Sequence, residues 1–172
     1  MNIPIRRRPH VPTRLLALLL GAWCTGVAAL PGDASSPIDI TADAVEIDDG
    51  QHTSTYTGKV EVQQGSMRLW ADRVTVQHLP SRQPSRIVAT GAPVRYQQQT
   101  ERNQQVKAEA RRMEYDATRE EILLIDRARL TQGRDSFSSD RILYDRKKAV
   151  VKAGASAQGH RRVHISITPK HK

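Results

Sequence analysis

Cysteine is almost absent from this sequence. The single one, Cys24, falls in the first thirty residues. The rest of the chain therefore builds no disulfide and no thiolate metal site, and it holds together on packing alone even in an oxidising compartment. Aromatic residues are nearly as scarce: one Phe, two Trp and four Tyr. A base-stacking surface needs aromatics set among clustered cations. With neither in place, nucleic acid is excluded as a partner. Helical periodicity is missing after residue 30, and no further apolar stretch there approaches the roughly 20 residues of a membrane-spanning helix.

The familiar arrangements of catalytic chemistry are also missing. There is no glycine-rich phosphate loop. Ser138-Ser139-Asp140 lacks the flanking glycines of a nucleophile elbow. Asp48-Asp49-Gly50 has no downstream ligand series and reads as a turn rather than a calcium loop. His160 and His164 are four apart, but in a strand-like region that spacing aligns side chains only loosely, and no Cys or Glu completes a metal set. No acid, base and nucleophile converge, so the chain reads as a non-enzyme without cofactor or metal.

What is present begins with an export signal. Arg6, Arg7, Arg8 and Arg14 make a basic leader, Leu15 to Ala29 an apolar run, and Val27-Ala28-Ala29 a small-residue cleavage site. That is the layout of a secretory signal peptide over residues 1–29. The run is short for a membrane anchor. Trp23 stands where a lipoprotein signal needs a small residue, so Cys24 is read as part of the apolar run. Residues 30–36 form a flexible lead, 37–169 one domain, and 170–172 a disordered tail. Removing the leader takes four of the 27 basic residues, leaving 23 against 18 acidic ones. The excess of five suits an anionic partner at the surface. Arg161 and Arg162 are read as facing solvent.

Within the domain a six-residue pattern returns. Ala42-Asp43-Ala44-Val45-Glu46-Ile47 is followed by Ala71-Asp72-Arg73-Val74-Thr75-Val76, then by looser copies at Ala110 to Tyr115 and Ser139 to Tyr144. Successive copies start 29, 39 and 29 residues apart. A second pair keeps step: Gly58-Lys59-Val60-Glu61-Val62-Gln63-Gln64-Gly65 and Asp126-Arg127-Ala128-Arg129-Leu130-Thr131-Gln132-Gly133, offset by 68, which is 39 plus 29. Shared offsets indicate stacked β-units that bury their apolar faces only against one another.

Period-two alternation marks the strands: Val60 and Val62, Met67 and Leu69, Val74 and Val76, Val163, Ile165 and Ile167. Asp48-Asp49-Gly50 and Gln64-Gly65 are hairpin turns. His78 to Ser85, with Pro80 and Pro84, is a loop that lengthens the middle repeat. Gln97 to Gln105 reads as another loop, Gln104 to Met113 as a strand pair joined by a charged turn, and Pro169 as the end of pairing. An antiparallel sheet folded over on itself would gather these stripes into one long aliphatic interior. Such an interior serves equally as an adaptable groove and as an ordinary filled core.

Pro37-Ile38-Asp39-Ile40-Thr41-Ala42-Asp43, Tyr56 to Gly65, Ala71 to Val76, Gly91-Ala92-Pro93, Ala110 to Tyr115 and Arg162 to Pro169 together resemble the OstA-like (LptA) family of periplasmic lipopolysaccharide-transport proteins. The resemblance implies an all-β fold: an open antiparallel β-jelly-roll, a folded "β-taco" of many short strands. It also implies transfer of lipopolysaccharide from inner to outer membrane, with lipid A acyl chains in an apolar trough and sugars in water. Partners follow from it too: LptC-like and LptD-like β-jelly-roll domains at the two ends, and self-association head to tail. The lining carried over is Ile38, Ile40, Tyr96 after the Gly-Ala-Pro turn, and Tyr115. The inward stripes add Val60, Val62, Leu69, Val74, Val76, Met113, Leu130, Ile142 and Tyr144. Ala117 stands where family members carry a larger apolar residue. Two other readings stay open: an LptC-like component anchored in the inner membrane by an uncleaved N-terminal helix, and a ligand-free β-repeat scaffold of the envelope.

Overall fold

The structure is a computed structural model that describes residues 36–99, 104–148 and 150–168. The expected signal peptide, all of the lead but Ser36, the Pro169 stop and the C-terminal tail lie outside the described residues. Among the described residues, ten strands form one antiparallel sheet. They are β1 (Ile38–Thr41), β2 (Ala44–Asp48), β3 (Thr53–Gln64), β4 (Met67–His78), β5 (Pro84–Gln99), β6 (Gln105–Asp116), β7 (Glu121–Gln132), β8 (Asp135–Asp145), β9 (Val150–Ala153) and β10 (His164–Ser166). The order is β1-β3-β4-β5-β6-β7-β8-β10, with β2 also on β3 and β9 also on β8. The short strands therefore sit at the two edges, and the sheet does not close.

The six central strands are 11 to 16 residues long, not the many short ones expected. The reason lies at their midpoints. Every neighbouring pair loses register there, between Thr57 and Val60, Trp70 and Arg73, Thr90 and Val94, Glu109 and Arg112, and Ile125 and Ala128. Aligned bulges bend each strand at the same level and crease the sheet. Asp48-Asp49-Gly50 and Gln64-Gly65 are the expected turns between strands, but the Gly91-Ala92-Pro93 signal read as a turn is one of these bulges. Gly91-Ala92-Pro93 lies inside β5, with Ala92–Pro93 cis. In β3 the backbone turns left-handed at Gly58 (φ 81°) and Lys59 (44°), and in β7 at Asp126 (60°) and Arg127 (51°).

The repeats now have a physical meaning. The Gly58-Lys59 and Asp126-Arg127 copies are the bulges of β3 and β7. The hexad copies cross the crease on β4, β6 and β8, with Ala71 and Ala110 buried at the bend. A small residue is required where the two walls converge, and alternate large apolar residues follow as they diverge.

Three loop expectations are corrected. Gln104–Met113 is not a strand pair but part of one continuous strand, β6, in which Val106, Ala108, Ala110 and Met113 are buried. Alanine carries too little hydrophobic signal to reveal that alternation. β5 runs on through Gln99 and β6 starts at Gln105, so both ends of the expected Gln97–Gln105 loop are strand; polar side chains at the ends of the walls concealed it. Pro84 and Ser85 likewise open β5, which proline permits at the start of a strand.

Both walls contribute to a single core that includes Val62, Tyr96 and Leu130 from one side and Val76, Met113, Leu124 and Ile142 from the other.

Candidate lipid-binding trough

Strand register arranges the inward side chains in rows that cross the whole sheet. On the first wall one row runs Ile40, Val62, Leu69, Tyr96, Ala108, Leu130, Phe137, Ile165. On the second wall one runs Val45, Tyr56, Val74, Ala89, Met113, Leu124, Ile142, Ala153, and the next runs Ile47, Ser54, Val76, Ile87, Tyr115, Ile122, Tyr144, Val151. Adjacent positions in a row lie close enough for continuous side-chain contact. The rows make apolar tracks from one edge of the sheet to the other.

Between the walls lies a cavity of about 280 Å³, near the lower end of the roughly 300–1,000 Å³ of small-molecule sites. It occupies the β1 to β6 side. Ile38, Ile40, Val62, Leu69, Val74, Val76, Tyr96, Met113 and Tyr115 line it, as do Tyr56, Met67, Ile87, Ala89 and Ile122. Ala89 leaves depth between Val74 and Met113 in its row. Val60, Leu130, Ile142 and Tyr144 do not line it. They are buried in the packed remainder, where Leu124 and Ile142 are 0% exposed. Val60 sits at the crease, where the walls meet. The other three lie toward the far edge, where Leu and Ile side chains from both walls fill the space.

Five apolar lining residues escaped sequence reasoning, for different reasons. Ile87 and Ala89 lie in a stretch whose alternation is hidden by Val88 and Thr90 on the other face. Tyr56 and Ile122 were legible only as row partners of Val74 and Tyr115. Met67 was visible as half of an alternating pair but was not singled out as lining.

Polar groups sit where the walls end. Gln64 and Gln98 line the cavity from the first wall, and His78 and Arg146 from the second. Gln98 accepts a hydrogen bond from the Tyr96 hydroxyl. His78 Nε2 lies 3.1 Å from Ser54 Oγ. The Arg146 guanidinium stands 5.7 Å from the centroid of the Tyr115 ring, and its Nη1 donates to the Tyr115 hydroxyl at 3.4 Å. Burial pushes the Tyr144 phenol above its ordinary range, and Arg146 partly opposes that. Arg161 and Arg162 are exposed and stand outside the cavity lining.

Large exposed apolar residues concentrate at the two edges: Ile38, Val45 and Ile47 on β1 and β2, and Val150, Ile165 and Ile167 on and beside β9 and β10.

An open, creased β-jelly-roll with an aliphatic trough defines a class of protein that shelters apolar chains from water. Comparison with known proteins gives the family. Residues 39–150 match the family described as LptA/(LptD N-terminal domain) LPS transport protein, and the chain belongs to it. It is 32% identical over 150 residues to the lipopolysaccharide export system protein LptH of Pseudomonas aeruginosa, covering 84% of this chain and 86% of that one. It is 29% identical over 131 residues to the lipopolysaccharide export system protein LptA of Escherichia coli K12, covering 76% and 71%. The crystal structure of LptH, the LptA-homologous periplasmic component of the lipopolysaccharide transport device of Pseudomonas aeruginosa, superposes with a TM-score of 0.72 at 30% identity. That match covers 81% of this chain and all of that one.

Proposed function

We propose that this protein is a periplasmic lipopolysaccharide-binding bridge. It shelters lipid acyl chains in its trough during transfer from inner to outer membrane, and it joins end to end with copies of itself and with LptC-like and LptD-like β-jelly-roll domains. The observation that carries the reading is the apolar cavity between the walls on the β1 to β6 side, whose lining rows run on through the packed side to the far edge of the sheet. A buried methylene is worth about 0.8 kcal/mol, so one acyl chain resists exposure to water by on the order of 10 kcal/mol. Passing a chain between similar troughs is nearly neutral. The protein supplies a path, and the driving energy comes from elsewhere.

Ile38, Ile40, Val62, Leu69, Val74, Val76, Tyr96, Met113 and Tyr115 are the residues we assign to the acyl site. The packed side around Leu124, Leu130 and Ile142 has to part for a chain to pass. Replacing Tyr115 with a photo-crosslinking residue in living cells tests the reading. Lipopolysaccharide on the crosslinked protein is the expected result. A crosslink-free protein in cells actively exporting lipopolysaccharide would reject it. Export with a cleaved signal peptide predicts a mature N-terminus near Leu30; an intact one would favour the anchored, LptC-like alternative.

A further inference from the structure

The charged groups around the second wall are mostly matched. Glu114 takes hydrogen bonds from both Arg112 and Arg86. Burial pushes its carboxyl up, but the two guanidiniums outweigh that and hold it below its ordinary range. Asp145 is engaged by Lys148 at 3.0 Å, and Asp116 by Arg119 at 3.8 Å. Glu120 meets Arg146 only through its backbone, whose carbonyl accepts from the Arg146 N–H at 3.0 Å. The Arg146 guanidinium thus forms no ion pair among the described residues. It stands instead at the margin of an apolar cavity, half-buried over the Tyr115 ring and donating to that residue's hydroxyl. A guanidinium so placed retains unused donors, already oriented by the aromatic ring beneath it.

We propose that Arg146, with the Tyr115 hydroxyl, forms an anion subsite at the lip of the trough and takes the phosphate of an amphiphile whose acyl chain lies in the cavity. This rests on the reading of the cavity as an acyl site. An amphiphile places its charged group where apolar lining gives way to water, and Arg146 occupies that boundary. Phosphate suits the fork of a guanidinium better than it suits a point charge. The opposite lip carries the neutral amides Gln64 and Gln98, and the Glu114 carboxylate, which also lines the cavity, is already held by Arg112 and Arg86, so Arg146 is the lining cation left without a carboxylate partner among the described residues. A bound amphiphile would be held with its phosphate toward β8.

The test compares two probes with the same fluorescent acyl chain, a lysophosphatidic acid and the corresponding monoacylglycerol, which differ only in the phosphate. The wild-type protein is expected to prefer the phosphate probe. Arg146→Gln is expected to weaken that probe about tenfold, the effect of one charge-assisted hydrogen bond, and to change the neutral probe less than twofold. Arg146→Lys is expected to keep part of the preference. The main-chain bond from residue 146 to Glu120 does not depend on the side chain, and circular dichroism verifies the fold of each variant. Equal weakening of both probes by Arg146→Gln would make Arg146 a wall residue and overturn the subsite while leaving the acyl site standing. An unchanged phosphate preference would overturn it as well. Failure of both probes to bind the wild-type protein would instead strike the acyl reading itself.

Discussion

Gly58 and Asp43 meet across the first bulge: a Cβ added to Gly58 would come within 2.8 Å of the Asp43 Cβ. Gly58 also has φ +81°, and its carbonyl accepts the Asp43 N–H at 2.9 Å. The glycine is thus required twice, by backbone conformation and by space. Gly58→Ala should destabilise the protein by about 1–3 kcal/mol through the strained conformation alone, with the Asp43 contact adding to it. Urea denaturation should show a lower midpoint, and the double variant with Asp43→Ala, which removes the carboxylate but keeps the Cβ, should recover only part of the steric cost. An unchanged midpoint would mean that β1 and β2 do not rest on this bulge.

How much of this was legible beforehand depended on side-chain chemistry at each place. Val60, Val62, Val74 and Val76 announced their strands because β-branched residues alternate with polar ones. The Gly58-Lys59 and Asp126-Arg127 copies were found as a repeat, but their role as the crease was not, because a glycine in a strand and a glycine in a turn look alike. β6 was missed because Ala108 and Ala110 do the work that valines do elsewhere. Val62, Leu69, Val74, Val76 and Met113 were read from the stripes, and Ile38, Ile40, Tyr96 and Tyr115 came from the family resemblance. The limit of the cavity was not legible: Leu130 and Ile142 belong to the same stripes as Leu69 and Val74, and only the three-dimensional convergence of the walls separates filled rows from open ones.

That separation gives opposite expectations for two substitutions. Ile38 is 46% exposed on edge strand β1 and lines the cavity. Ile38→Asp should leave stability within about 1 kcal/mol and reduce lipopolysaccharide retained during purification. Leu124 is 0% exposed and does not line the cavity. Leu124→Ala should cost about 2–5 kcal/mol and leave the lipid bound per folded molecule unchanged. Thermal unfolding and quantification of co-purified lipid read both. Global unfolding of Ile38→Asp would favour a filled scaffold without a ligand.

Acid should loosen the C-terminal edge. The Asp140 carboxylate accepts the backbone N–H groups of His160 at 2.6 Å and Arg161 at 3.2 Å, tying the segment before β10 to β8. The hydrogen bond from His160 is the main cause that lowers its pKa from 3.8 to about 2, with Ser139 and Arg161 contributing. A carboxyl whose folded-state pKa is depressed stabilises fully above its ordinary value, and the effect fades as pH falls through the folded one. The window is therefore between about pH 4 and pH 2. The protection of the His160 and Arg161 amides, relative to their intrinsic exchange rate at each pH, should fall across that window. In Asp140→Ala that protection should already be low at neutral pH and change little with acid. Equal protection in that variant would remove the carboxylate from the account.

The last expectation concerns the edges. Ile40 and Ile165 are the end positions of one row on the first wall. If β10 of one molecule pairs with β1 of the next, the row continues across the joint, and the exposed Ile38 and Ile167 are covered together. Such a contact uses different surfaces on each partner, so it propagates instead of closing. Neighbouring strands place facing residues within disulfide range, and the sequence after residue 24 contains no cysteine to compete. The double variant Ile40→Cys with Ile165→Cys, mildly oxidised at high concentration, should therefore give a ladder of covalent oligomers on a non-reducing gel. Either single variant lacks a partner thiol across the joint and should stay monomeric. A double variant that stays monomeric under those conditions would mean that the two edges do not join, and the bridge would have to be built through other surfaces.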